Sequence, residues 1–391
     1  MSKTIILSLT LLFGVWACAT TDLPSVQSMD GLQLLPDEQR LWNRSKEEQE
    51  RLNTSSDIYD DPALSAYVNQ VAQKLFPEDL HGQELSFQVY MIENPLLNAF
   101  AYPNGVLYIH TGILARMENE AQLATLLSHE MTHVTHRHAV ENFRTVKNTT
   151  AFLATVQVAA IPFGAYGNIA GMLGTVGAMA AVSGYSRDLE READIEGLAR
   201  MAAAGYDPQE APRLFEHLKQ DVEEQDVKEP FFFGSHPRLQ ERITNYNEML
   251  RARYAGASGA KNTEQFQQIV SPMLLDNARL DLAMGRFRPA ERTLTRILEG
   301  EPQNAKAHYY LGEVCRQRAQ ADDREKAEAH YREAVECDPA LPEPHRALGF
   351  VYYKRGQLDA SAAELQKYLT LSPDAPDRAY IIQYMQQMKS D

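Results

Sequence analysis

Three cysteines in 391 residues, Cys18, Cys315 and Cys337, cannot build the disulfide framework that staples small secreted domains. Positive charge is also in deficit. The chain has 38 Lys and Arg against 53 Asp and Glu, a net charge of −15, and this argues against nucleic acid as a partner, because phosphate backbones are held by basic side chains. Residues 148–186 contain no Asp, Glu, Lys or Arg. Pro162 and Gly164, Gly167, Gly171, Gly174 and Gly177 interrupt that run, so it reads as small-residue helices packed in, or folded over, the functional region rather than as a membrane span. What remains is ordinary globular composition, 44% hydrophobic and 23% charged, which excludes collagen-like and wholly disordered classes. The length fits about two or three domains of ~150 residues. The net charge over 263–391 is only −3, so most of the excess acid lies earlier and the two parts read as different modules.

The N-terminus carries a leader pattern. Lys3 precedes an apolar run, TIILSLTLLFGVWA, too short to span a bilayer as a helix, and the segment reads as a secretory signal peptide over 1–18. Val15-Trp16-Ala17-Cys18 resembles a bacterial lipobox, which makes Cys18 the candidate lipidation site and gives the chain a membrane anchor. Ordinary cleavage at Ala17-Cys18-Ala19 is the alternative and leaves no anchor. Ala19 after the Cys matches the outer-membrane sorting pattern, so the expected location is the periplasm, on the outer membrane. Cys315 and Cys337 lie in helical patterns and read as packing residues.

Residues 19–59 are polar and charged, a linker with an exposed helix. From Asp61-Pro62 the residues Leu64, Tyr67, Val68, Val71 and Leu75 mark one helix face. Leu85 to Ile92 alternates like a strand, and AFAYPNGVLYI reads as two strands around Pro103-Asn104-Gly105. Asn119, with Gln122 three residues on, opens a long helix that runs to His138. The last third repeats. Pro302, Pro339 and Pro373 close units spaced by 37 and 34 residues, and Tyr310-Leu311-Gly312 and Ala347-Leu348-Gly349 fit the first helix of a tetratricopeptide repeat. Three such repeats and a capping helix from Asp377 to Met388 are expected, with a concave face for binding. The domain reading is a first domain over 60–255 and repeats over 265–391.

The chemistry sits in His129-Glu130-Met131-Thr132-His133. On a helix, positions i and i+4 share a face, so both imidazoles can reach one Zn²⁺ while Glu130 beside them can accept a proton from water. A catalytic zinc takes a third protein ligand. Glu190 and Asp194 share a face of the helix that follows Ser186; one carboxylate can ligate while the other receives the outer N–H of a ligand His. Glu192 lies off that face, so Glu190 is the candidate ligand. His136 shares the face of His129 and His133 but would need a bend to ligate. His81 and His110 read as structural.

The segments DPALSAYVNQVAQKL, NAFAYPNGVLYIHTGIL, LLSHEMTHVTHRHA, SRDLEREADIEGLARMAAAGYDP and SHPRLQERI resemble the gluzincins of the HtpX and CAAX-prenyl-endopeptidase superfamily. The chain also resembles the BepA-type periplasmic proteases, which join such a domain to tetratricopeptide repeats. The resemblance implies a mainly α fold with a small β-sheet, a zincin-type metalloprotease domain followed by an α-solenoid. It implies one Zn²⁺ held by His129, His133 and Glu190, Glu130 as general base, and Asp194 behind the ligands. It implies that Asn98, Ala99, Phe100 and Ala101 form an edge strand along which extended substrate pairs. His236 matches a His that either stabilises the tetrahedral intermediate or occupies a fourth zinc position and holds the enzyme latent; Arg242 matches an Arg of the same motif. Expected partners are unfolded or stalled outer-membrane proteins as substrates and the β-barrel assembly machinery, reached through the repeats. The competing reading is a repeat chaperone or adaptor for outer-membrane assembly with latent proteolysis.

Overall fold

The computed structural model describes residues 23, 25, 26, 34–55, 57–80, 85–146, 174–182, 184–224 and 239–388. Leu85, Phe87, Val89 and Met91 are buried while Ser86 and Gln88 are exposed, the period of two seen in the sequence, and Gln88–Ile92 forms strand β1. Ala99–Ala101 (β2) and Val106–His110 (β3) make the expected hairpin, closed by Tyr102 N donating to Val106 O at 2.8 Å. Gly105 stands there at φ 90°, where a Cβ would lie 2.2 Å from Ser86 O, so only glycine fits. The sheet order is β1-β3-β2, with β3 parallel to β1 and antiparallel to β2, leaving β2 at an edge.

Helices α1 (Pro36–Asn53) and α2 (Pro62–Leu75) precede the sheet. After it come α3 (Thr111–Leu114), α4 (Glu120–Thr135), α5 (His138–Val146), α6 (Thr175–Val182), α7 (Arg187–Ala203), α8 (Glu210–Glu224) and α9 (Leu239–Arg253). The Asp61 carboxylate caps α2 by accepting from Ala63 N and Leu64 N, and the five apolar residues anticipated on its face are buried. One face of the sheet, with Val89, Met91, Ala99, Ala101, Leu107 and Ile109, joins the main core under α2 and α4. The other, with Ile92, Phe100, Tyr102 and Tyr108, meets Leu41 and Leu52 of α1, Val140 of α5 and Val176, Ala178 and Ala181 of α6 in a second core.

The expectation of an exposed N-terminal helix is therefore corrected. Leu41, Trp42 and Leu52 of α1 are buried, and so are Glu38, Glu48 and Gln49. Their polar atoms find tertiary partners: Glu38 pairs with Arg137, Gln49 exchanges amide hydrogen bonds with Asn104, and Glu48 accepts from Val176 N and Gly177 N at 3.2 and 2.9 Å. A polar pattern looks solvated in one dimension when its partners lie far along the chain.

The last third forms three helix pairs, α10 (Thr263–Ala283) with α11 (Phe287–Gly300), α12 (Ala305–Arg318) with α13 (Asp323–Cys337), and α14 (Pro342–Lys354) with α15 (Leu358–Leu371), then α16 (Arg378–Met388). Cys315 is buried, Cys337 half-buried, and both are free thiols. No helix among the described residues is long and apolar enough to cross a membrane.

The first repeat is not a separate body. The main core runs without a break from the sheet through Phe266, Val270, Met273, Leu282, Leu294 and Leu311. A buried ionic junction pins the same seam. Arg116, after α3, donates to Asp221 Oδ1 of α8 at 2.6 Å and to Asp281 Oδ2 of α10 at 3.0 Å, and Arg286 and Arg292 also pair with Asp221. Burial alone would raise the Asp221 carboxyl, yet Arg116, Arg286 and Arg292 hold it below its ordinary 3.8; Asp281 is instead pushed up by its burial. Arg116→Met is expected to destabilise the fold by about 3 kcal/mol, the low end for an orphaned buried charge because two arginines remain on Asp221. Urea unfolding measures it, and a change under about 1 kcal/mol would show that Arg116 is dispensable. Because folding lowers the Asp221 pKa, its contribution is present above 3.8 and is lost as pH falls through the lower folded value, so the penalty should shrink in acid.

Candidate metal centre

Helix α4 is buried along its whole length, so its polar residues must be satisfied inside the protein. Asn119 caps it by accepting from Gln122 N at 3.1 Å, and the Gln122 side chain takes Glu118 N, a variant of the reciprocal cap anticipated. Thr125 and Thr132 return their hydroxyls to carbonyls one turn back. His129, Glu130 and His133 are all at most 1% exposed.

Helix α7, started by Ser186 accepting from Leu189 N, packs closely on α4. Gly197 makes the approach possible, since a Cβ there would stand 3.1 Å from His129 N. This brings Glu190 and Asp194 to the histidines. His129 Nε2 and His133 Nε2 lie 3.1 Å apart, His133 Nε2 is 3.4 Å from Glu190 Oε1, and His129 Nε2 is 3.7 Å from Glu190 Oε2. Tetrahedral bonds of about 2.0–2.1 Å to zinc would separate ligand atoms by roughly 3.3 Å. The three residues fit such an ion: their donor atoms form the one His/Cys/Asp/Glu group among the described residues that could hold a metal.

Burial pushes His129 down to about 4 and His133 well below its ordinary value, so both rings are neutral near pH 7 and have lone pairs to offer. Asp194 stands 3.1 Å from His129 Nδ1, the place expected of a residue that orients a ligand. Burial raises its carboxyl, but Arg242 and His129 outweigh that and hold it low.

Arg242 of α9 acquires a definite place. Its Nε is 3.0 Å from Asp194 Oδ2, its Nη1 3.3 Å from Glu190 Oε2, and its Nη2 2.9 Å from His129 Nδ1, while its guanidinium lies 4.1 Å over the Phe215 ring. Tyr246 donates to Asp194 at 2.8 Å. Glu192 is outside the ligand group, as its helix position implied, and so is His136, whose Nδ1 sits 3.2 Å from Thr132 O at the end of α4. His110 is buried at the end of β3 and pushed down to about 4 by that burial. His81, His236 and Cys18 lie outside the described residues.

Two neighbours of the site were given no role in the sequence reading. Tyr185 stacks on the His133 ring at 4.0 Å with 13° between planes, and His138 places Nδ1 2.8 Å from His133 Nδ1. The local signals were an aromatic residue beside the Ser186 cap and a fourth histidine five residues after His133. Strand β2 does lie at the sheet edge, but Asn98, Ala99, Phe100 and Ala101 are buried and α6 packs against it.

Residues 62–250 match peptidase family M48, and residues 275–342 match a tetratricopeptide repeat. The chain is 24% identical to the beta-barrel assembly-enhancing protease of Escherichia coli over 287 residues, 65% of this chain and 58% of that protein. It is 26% identical to the provisionally named Vibrio cholerae counterpart over 326 residues, 75% of this chain and 66% of that one. Against the mitochondrial metalloendopeptidase OMA1 of Arabidopsis thaliana the figures are 33% over 138 residues, 35% and 27%. The chain thus matches a little over half to two thirds of the length of these two bacterial relatives. With the buried His-His-Glu group lying inside the matched segment, the chain carries a peptidase family M48 domain joined to tetratricopeptide repeats.

Proposed function

We propose that this chain is a zinc-dependent endopeptidase of the bacterial periplasm that acts in the quality control and assembly of outer-membrane proteins. The observation that carries the reading is the convergence of His129, His133 and Glu190 at metal-ligand separations, with Glu130 buried beside them. Zinc bound there would supply Lewis acidity toward a peptide carbonyl and toward water. His129 and His133 offer neutral nitrogens, Glu190 offers a negative oxygen, and Asp194 and Arg242 hold these groups in register. Glu130 takes the proton of the attacking water and returns it to the leaving amine. We assign His236 the oxyanion-stabilising or latency role on the resemblance of its motif. The names of the bacterial relatives support a β-barrel assembly setting, with the repeats binding substrate or assembly machinery, and the lipobox-like Cys18 supports an outer-membrane anchor.

The test is casein cleavage by the full chain with its zinc content measured in parallel. Stoichiometric zinc, with cleavage abolished by a chelator and restored by one equivalent of zinc, is the expected result. Folded protein that neither binds zinc nor cleaves would overturn the reading.

Latent proteolysis with an adaptor role is favoured by one observation, the covering of β2 by α6. For extended substrate to pair along Asn98–Ala101, as we propose, α6 must move. The Glu48 carboxylate fastens the start of that helix through Val176 N and Gly177 N. Loss of a helix cap costs about 1 kcal/mol, a population shift of roughly fivefold. Glu48→Ala should therefore raise casein cleavage several-fold; unchanged or lower cleavage would count against α6 as a cover. In cells lacking the protein, outer-membrane assembly restored by a cleavage-dead chain would establish the adaptor role.

A further inference from the structure

A ligand histidine needs a partner on its second nitrogen, and the two candidate ligands solve this differently. His129 Nδ1 faces the Asp194 carboxylate at 3.1 Å, with Arg242 Nη2 2.9 Å from the same nitrogen. His133 turns Nδ1 to another imidazole, that of His138, 2.8 Å away, with the rings edge to face and centroids 4.9 Å apart. His138 is buried, and its Nε2 lies 3.3 Å from Glu192 Oε2 of α7.

This contact is built by a break in the backbone. In a continuous helix, residues five apart point about 140° away from each other, so His138 could not face His133. Helix α4 ends at Thr135, and Arg137 adopts the left-handed conformation, φ 61°, uncommon for a residue with a side chain. The turn starts α5 at His138 and folds its ring back under His133. Arg137 is held in that conformation by its buried pairing with Glu38 of α1, whose Oε1 accepts from Arg137 Nε at 2.8 Å.

We propose that His138, seated by Arg137 and backed by Glu192, is a positioning residue for the metal centre, fixing the ring and tautomer of His133. This rests on the reading of His129, His133 and Glu190 as zinc ligands. The proton inventory follows from that reading. His133 offers the lone pair of Nε2, the nitrogen nearest Glu190, so its proton stays on Nδ1. The Nδ1–H donates to His138 Nδ1, which must be bare, and the His138 proton then sits on Nε2 and points at Glu192. Each nitrogen in the chain has one role, and Tyr185 stacked on His133 restrains the same ring from its face.

The test separates hydrogen bonding from packing. His138→Asn keeps an acceptor near the Nδ1 position and loses the ring; His138→Phe keeps the ring and loses the acceptor. Zinc affinity of the full chain is measured by competition with a chromophoric chelator, and the visible spectrum of the Co²⁺-loaded protein reports ligand geometry. Removing a partner of this kind weakens metal binding by about 10–100-fold. His138→Phe should do so and shift the Co²⁺ bands, while His138→Asn should lose less than the ~10-fold lower end of that range. Tight binding by the Phe variant, or equal weakening in both folded variants, would overturn the proposal. His133→Ala is the control. If wild type binds one zinc and His133→Ala does not, the ligand reading stands whatever His138 does; if His133→Ala binds zinc like wild type, the ligand reading itself fails.

Discussion

Glu130→Gln should retain a full equivalent of zinc and lose about 10²–10⁴-fold in kcat/KM on casein, the range attributable to a general acid–base group. The substitution is isosteric and leaves His129, His133 and Glu190 in place. The amide can still hydrogen-bond to water at this buried position but cannot take its proton. Zinc content measured on the same samples decides how a loss is read. Activity lost with zinc retained assigns Glu130 to proton transfer; activity lost together with zinc would make it a support for the ligands. Cleavage near the wild-type rate would remove Glu130 from the chemistry.

The second large effect is expected at Arg242. Its guanidinium is 3% exposed and lies between Asp194 and Glu190. Arg242→Met fills similar space without charge, leaving two carboxylates buried beside neutral imidazoles. Breaking a buried pair by removing one partner costs about 3–5 kcal/mol. Urea denaturation of chelator-treated protein should show that loss, and zinc added back should recover part of it, because the ion compensates the same carboxylates. Arg242→Lys keeps the charge but not the fork that meets Asp194 and Glu190 together, so an intermediate loss is expected. A metal-free Arg242→Met chain within about 1 kcal/mol of wild type would mean that water or relaxation satisfies the carboxylates.

Much of the site was legible because its spacing is local. His129 and His133 are one turn apart, as are Glu190 and Asp194, and helix geometry alone puts each pair on one face. The same holds for the repeats, whose period is printed in the order of residues. Arg242 shows where that reasoning stops, since its partners lie 48, 52 and 113 positions earlier and no periodicity connects them. His138 shows it again, because its place beside His133 follows a left-handed turn at Arg137, whose side chain pairs with Glu38 nearly a hundred residues away.

Local order along the chain sets the elements and the chemistry of the candidate ligands: where the capped helices start, which faces are apolar, and which side chains can bind a metal or move a proton. These follow from caps, periods and side-chain chemistry acting over a few residues. Packing between distant segments makes α1 part of the fold, lays α6 on β2, joins the first repeat to the main core, and sets Arg242 and His138 against the candidate ligands. The reason is common to all four. A buried charge or imidazole is stable only with a partner, and the partner is chosen by packing between segments that the order of residues keeps far apart.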